Sequence, residues 1–378
     1  MRTWWAGHPR WALLSACLLV AAGCSHGEPF SPADTSSDTP LAPDIVPLRL
    51  TWGGARDPAW LGNDTILYSF ASAEHPNGGL GPPDLCIGIL PATGGRRVRA
   101  ICSRSAFEAD TLDVQVEPAP EPGTDRIAFM RGRLSRGVGA GLTRFIVGPL
   151  ATAPEGTELQ SALFTQPVAQ IVESGMLRWV APDTLLFMGA DNAVYTPCDT
   201  CNPVVLRRWR VAFRLAAEAG ATAQVVAGSD YATSVAPAST SGHAFMTMTG
   251  DTRLLDLDLT TGAVHQVLSW TGGDVPRDVD YAAGRVALIS GGQYTLITDD
   301  DGNPAQGNDT GGDINVIDLA TSSVTRLTAT GLWFRHPRLS PDGRSVVAVG
   351  LARGTMQIPG PGSAPSYPAG DLYRFDLP

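Results

Sequence analysis

Six cysteines are the residues of this 378-residue chain whose spacing says most about chemistry. Cys198-Asp-Thr-Cys201 forms a C-x-x-C. Haem attachment needs a histidine next, and Asn202 stands there instead. Structural zinc needs two further ligands, and no second C-x-x-C or neighbouring histidine pair supplies them. Thiol exchange normally sits at a helix start in a thioredoxin-like unit, and no such unit is readable. A disulfide between Cys198 and Cys201, pinning a long loop, is the favoured expectation for an exported protein. Cys86 and Cys102 flank Pro91-Ala-Thr-Gly-Gly95. A hairpin centred near Gly94 sets them opposite one another, about 4.5–5.5 Å apart at Cα, within disulfide range.

Carboxylates concentrate in Asp299-Asp-Asp-Gly-Asn303, continuing to Asn308, Asp309 and Asp313. Hard oxygen ligands suit Ca²⁺, which would use Asp299, Asp301 and Asn303, but the spacing is not that of an EF-hand. A turn is expected here, with Ca²⁺ as the alternative and no other cofactor. The six histidines are scattered, and no H-E-x-x-H or G-x-S-x-G occurs. All 27 basic residues are arginine, which removes Schiff-base and phosphate-loop lysine chemistry. The formal net charge of −10 argues against a nucleic-acid partner. Arg207, Arg208, Arg210 and Arg214 cluster; on a strand 208, 210 and 214 share one face, alternating with Trp209, Val211 and Phe213, and read as a solvated strand face. Catalysis is not expected from any of these groups.

Residues 1–23 read as an export signal. Arg2 and Arg10 precede an apolar run from Trp11 to Gly23, short for a membrane span, which takes about 20 residues, and right for a signal. The run ends in Val20-Ala-Ala-Gly-Cys24, which resembles the lipobox of bacterial lipoproteins. That resemblance implies lipidation of Cys24 and attachment to the cell envelope. Each buried CH₂ adds about 0.8 kcal/mol of anchoring. Ser25 follows, and by resemblance to enterobacterial sorting this favours the outer membrane, facing the periplasm. Residues 24–44 are rich in Ser, Thr, Pro, Asp and Ala and cannot bury a core; they read as a tether.

Around these groups the chain is a repeat. His336-Pro-Arg-Leu-Ser-Pro-Asp-Gly-Arg-Ser-Val-Val-Ala-Val-Gly350 reads as strand, tight turn, strand. Second strands of the same kind recur at Thr65–Phe70, Arg126–Met130, Thr184–Met188, His243–Thr247, Arg285–Ile289 and Ser345–Val349. Third strands follow, with Asp258, Asp318 and Asp376 in one register. Four strands per unit is the blade of a propeller, and recurrence at this spacing marks a repeat array. The pattern resembles the WD-like β-propeller repeat of the TolB family, over Ile45 to Pro378. An all-β propeller of six four-stranded blades over residues 45–378 is therefore expected. The last unit lacks its fourth strand, and Val46-Pro-Leu-Arg-Leu-Thr51 supplies one, so the N-terminal strand should close the ring against Tyr373–Leu377. TolB itself carries a further N-terminal domain and is not lipid-anchored, so a Tol–Pal role is not implied.

Long insertions at Gly132–Leu142 and Tyr195–Val204 are the expected contact surfaces. The function expected is a lipid-anchored binding scaffold for an envelope protein or polymer. The alternative is an enzyme or small-ligand or glycan binder using the central channel, which acids and histidines on the inner strands would favour.

Overall fold

The computed structural model describes residues 45–71, 85–102, 111–135, 141–151, 157–159, 177–195, 204–238, 242–270, 274–292, 297–298, 304–305, 310–353 and 370–378. Cys24, Cys198, Cys201, Asp299, Asp301 and Asn303 lie outside them. The chain is an all-β six-bladed propeller.

Blade 1 comprises β2 (Ala55–Leu61), β3 (Thr65–Ala71), β4 (Leu85–Pro91) and β5 (Arg99–Ile101). Blade 2 comprises β6 (Thr111–Pro120), β7 (Arg126–Ser135), β8 (Gly141–Pro149) and β9 (Thr157–Leu159). Blade 3 comprises β10 (Arg178–Ala181), β11 (Thr184–Tyr195), β12 (Val204–Ala216) and β13 (Gln224–Val225). Blade 4 comprises β14 (Ala232–Pro237), β15 (His243–Met248), β16 (Arg253–Asp258) and β17 (Val264–Ser269). Blade 5 comprises β18 (Arg277–Ala282), β19 (Arg285–Ser290), β22 (Asp313–Asp318) and β23 (Ser323–Leu327), with the short pair β20 (Ile297–Thr298) and β21 (Pro304–Ala305) between its middle strands. Blade 6 comprises β24 (Leu332–Leu339), β25 (Ser345–Ala352) and β26 (Asp371–Asp376). Its fourth strand is β1 (Leu48–Arg49), which runs antiparallel to β26 with Leu48 opposite Arg374 and Arg49 opposite Tyr373. Blades 1 and 2 also touch as sheets through one parallel pair, Leu85 with Val114.

The ring is held by six apolar clusters, each spanning one pair of neighbouring blades. Between blades 2 and 3, Phe145 meets Phe187 at 4.6 Å and Phe187 stacks on Phe213 at 5.4 Å. Between blades 6 and 1, Val347, Val349, Leu351 and Leu372 pack on Trp60, Ile66, Phe70 and Leu50. That cluster closes the ring on itself, with Leu50 reaching it straight from the end of β1. Trp60 donates from Nε1 to the Arg338 carbonyl at 2.9 Å, and Trp179 does the same to Ala119 at 2.8 Å. The two tryptophans hold equivalent places, each tying its blade to the inner strand of the blade before.

The alternation of strand direction fixes which connections share a face. First-to-second and third-to-fourth connections lie at one end of every blade. Second-to-third connections and the links between blades lie at the other. The first-to-second connections are short, as at 62–64, 121–125, 182–183, 283–284 and 340–344; the longest connections, 72–84, 160–176, 291–312 and 353–370, all belong to the second set. At the short-turn end, Asp258 and Asp318 stand opposite His243 and Arg285, the first residues of their second strands. Each turns its carboxylate onto the amides that follow: Thr260 and Thr261, and Ala320 and Thr321. This is the Asx turn, a local side-chain substitute for a backbone bond, and it explains the recurrent Asp.

The insertion read as Gly132–Leu142 is shorter as a loop than expected. Its flanks continue the ladder, with Leu134 opposite Gly141. In blade 3 the ladder runs on to Tyr195 opposite Val204. The middle strands of blade 3 have 12 and 13 residues, against 6 and 6 in blade 4.

Candidate binding site in the central channel

The six first strands lie side by side around the axis. Each breaks its pairing with the second strand at a bulge: between Arg56 and Ala59, Val116 and Ala119, Trp179 and Ala181, Ala232 and Ser234, Arg277 and Asp280, and Arg335 and Arg338. A bulge re-aims side chains that strict alternation would send elsewhere. In four blades it places one non-glycine residue in the left-handed region: Asp57 (φ 44°), Glu117 (φ 57°), Asp278 (φ 54°) and His336 (φ 49°). That conformation costs energy for a side-chain-bearing residue. Three of the four precede proline, at Pro58, Pro118 and Pro337. All four residues are ionisable.

The bulges knit blade to blade. The His336 amide donates to Asp278 Oδ2 at 3.2 Å, and the Leu339 amide donates to Asp280 Oδ2 at 2.8 Å. The Val279 amide donates to Ser234 Oγ at 2.9 Å, and the Glu117 amide to Ser69 Oγ at 3.2 Å. Longer side chains cross the axis. Arg178 of blade 3 reaches past blade 4 to Asp280 of blade 5, Nε to Oδ1 at 3.3 Å. Arg335 lies 3.9 Å from Asp278, and both are nearly buried. Arg277 is absorbed by the fold, donating to the carbonyls of Val275, Gly291 and Gly311 at 2.8–2.9 Å.

Crowding of charge in a poorly hydrated space moves the titrations. Burial pushes Glu117 up to about 8, helped by the Asp57 carboxylate and opposed by Arg178 and Arg338. Glu117 is therefore largely protonated at neutral pH. Burial would by itself raise Asp278, but His336, Arg335 and the His336 amide outweigh it and hold the carboxyl well below its usual range. Burial lowers His336, against the pull of Asp278 and Asp57. Arg338 is brought down to about 10 by burial and then by the like charge of Arg178. The result is a ring of acids, arginines and one histidine contributed by blades 1, 2, 3, 5 and 6.

The residues singled out from sequence fall elsewhere. Cys86 and Cys102 are joined by a disulfide with Cα atoms 4.7 Å apart, on β4 and just after β5. Asp313 does not join a loop cluster: it is buried and ion-paired with Arg326, with Arg353 at 3.8 Å. His243 pairs with Asp256 at 3.1 Å on the blade surface, and Arg214 donates to the Leu259 carbonyl at 3.1 Å. Among the described residues no group of three or more His, Cys, Asp or Glu is arranged to hold a metal, and no helix is long and apolar enough to cross a membrane. Sequence reasoning missed the channel. The available signal was the recurrence of an ionisable residue before proline, eight or nine positions ahead of the second strand, at Asp57, Glu117 and His336.

No protein-family model and no curated protein matches the sequence. Among solved structures the chain is similar, at low identity, to TolB from Acinetobacter baumannii (14% identity, TM-score 0.45, covering 83% of this chain and 63% of that one). It is also similar to the calcium-binding protein regucalcin from Agrobacterium tumefaciens (11%, TM-score 0.49, 90% and 95%). A third is the acylaminoacyl peptidase of Pyrococcus horikoshii (10%, TM-score 0.45, 86% and 51%). The chain thus spans under two thirds of the TolB chain and about half of the peptidase.

Proposed function

We propose that this propeller is a non-catalytic binding scaffold of the bacterial cell envelope, held to the outer membrane by a lipid on Cys24 and facing the periplasm. Its partner is an envelope protein or polymer. The observation that carries the reading is the unequal build of the disc: the long connections and the extended hairpins of blades 2 and 3 share one face. A blade needs neither for its own stability, and long connections on a rigid scaffold are where recognition concentrates. The acidic balance of the chain argues against nucleic acid as the partner.

The test is capture in envelopes by crosslinking, with the full-length chain and with a variant whose connections 136–140 and 196–203 are replaced by two-residue turns. Partner capture should be lost and the thermal transition kept. Undiminished capture by the trimmed chain would remove that face from the account. Membrane fractionation of Cys24→Ser checks the anchor: release is expected, and retention with lipid would refute it.

A second reading, binding of a small ligand or turnover within the central channel, is favoured by one observation, the ionisable residues at the inner-strand bulges.

A further inference from the structure

We propose that the propeller rests against an anionic phospholipid surface through a strip made of its closing segment, residues 45–54, and the adjoining connection 92–98 of blade 1. The inference rests on the lipid anchor proposed above and adds to it a second, reversible contact. Seven large apolar side chains stand exposed among the described residues, and four of them belong to this strip: Val46, Leu48, Trp52 and Val98. Val46 and Trp52 are 84% and 82% exposed. Such a gathering of apolar groups at a surface marks a contact site. The two parts of the strip touch. Arg374, opposite Leu48, donates to the Ala92 carbonyl at 3.0 Å. Leu50 lies against Gly94, where an added Cβ would stand 3.6 Å from it. Trp52 is held in place: Asp371 accepts from Arg49 and from the Gly53 amide on either side of it, and the Arg49 guanidinium lies 4.0 Å over its ring.

The charge of the strip runs against that of the chain. Residues 45–54 and 91–102 carry Arg49, Arg96, Arg97 and Arg99 and no acid, in a protein of net charge −10. Arg49 is matched by Asp371, and Arg97 lies over Phe70; Arg96 stands exposed. Tryptophan at headgroup depth, short aliphatic groups beside it and arginines reaching phosphates are the composition of a bilayer interface contact. The preceding chain favours lipid over a protein as the occupant. Residues 25–44 separate Cys24 from Ile45 and span at most about 70 Å. They enter the propeller at this strip, so a lipid on Cys24 keeps it, before any other surface, within reach of the bilayer. A weak contact then re-forms at high local concentration. β1 and β5 are the outer strands of their blades, so the contact sets the ring edge-on to the membrane and leaves the long connections open to a partner.

The test is fluorescence of the full-length protein on vesicles of phosphatidylcholine, alone or mixed with phosphatidylglycerol, with brominated or ordinary acyl chains. Nine tryptophans contribute, so the Trp52 signal is taken as wild type minus Trp52→Phe. Bromine should quench that signal severalfold on phosphatidylglycerol vesicles and less on phosphatidylcholine alone. High salt, or Arg96→Glu, should remove most of the quenching, because exposed charges are screened. Radical oxidation of Trp52, read peptide by peptide in the wild type, needs no variant and should fall severalfold on the same anionic vesicles. A Trp52 that stays unquenched and fully oxidised there overturns the proposal. So does protection of Trp52 in envelopes but not on bare vesicles, which would put a protein on the strip. A salt wash separates this contact from the anchor. Wild type should remain on the vesicles with Trp52 exposed again; release by salt would count against the lipid on Cys24 while low-salt protection still supports the strip.

Discussion

At the short-turn end of each blade, arginines run from blade to blade; at the other end the strands are joined by the longest second-to-third connections, 72–84, 291–312 and 353–370. Arg126 pairs with Asp183 across blades 2 and 3 at 2.6 Å. Arg214 reaches the Leu259 carbonyl across blades 3 and 4 at 3.1 Å, and Arg285 reaches the Gly343 carbonyl across blades 5 and 6 at 3.1 Å. Arg374 reaches Ala92 across blades 6 and 1 at 3.0 Å. A flexible point-charge lysine would serve such straps poorly. The planar fork of arginine can hold a carbonyl while its stem packs along the blade. The chain's exclusive use of arginine fits this work. The comparison teaches that blade-to-blade straps and long connections are placed at opposite ends, so each can vary without the other.

Four changes bear on that division, in falling order of effect on stability. Deleting residues 45–51 removes β1 together with Leu50 and Thr51, which are 3% and 8% exposed. Burial of a leucine alone stabilises by about 2 kcal/mol, and the Leu50 amide also bonds the Leu372 carbonyl at 2.7 Å. A loss of several kcal/mol in denaturant titration is expected; a chain that stays fully stable without this segment would show that the ring needs no closing strand.

The second change concerns the channel between the two faces. Glu117 titrates near 8 in the folded chain and near 4.5 when unfolded. Its contribution is therefore fully present below about pH 4.5 and is lost as pH rises through 8. Glu117→Gln removes that slope. Relative to wild type, the variant should gain on the order of 2 kcal/mol between pH 5 and pH 8, a value discounted from full linkage because the side chain is only half-buried. Parallel melting curves for the two proteins at both pH values would contradict this.

Third, Arg285→Met cuts a strap and should cost about 1 kcal/mol, the net value of a hydrogen bond, without altering partner capture. Fourth, trimming 136–140 and 196–203 should change stability by less than about 0.5 kcal/mol, since the change lies beyond the paired ends of both ladders, while abolishing capture. A strap variant that loses capture, or a trimmed chain that melts early, would blur the separation of the two ends.

Much of the fold was legible because it repeats. All six second strands stand where the apolar runs and turns put them, and the aspartates at 258, 318 and 376 share a register, each opposite the first residue of its second strand. The closing strand was readable from an absence in the last unit, and the disulfide from hairpin symmetry about Gly94. A central channel was expected as the alternative site, but the residues that line it were not legible. Its residues sit at bulges, where alternation breaks and a side chain leaves the face its parity predicts. Charges from five blades also meet there across long stretches of sequence, and no local pattern announces that they will. The hairpin extension at Gly132 was hidden by glycines, which read as loop although the ladder continues through them.

Leu48 and Arg49 are exposed, while Leu50 and Thr51 directly after them are buried. The closing segment thus has a weak outer end and a strong inner end, and the 44 residues before it attach to the weak one. Tension drawn through those residues would peel the Leu48–Arg49 pairing first and meet the buried pair only afterwards. The outer end then behaves as a sacrificial link. It lengthens and dissipates a pull on the N-terminal segment before the load reaches the joint that keeps six blades in a circle.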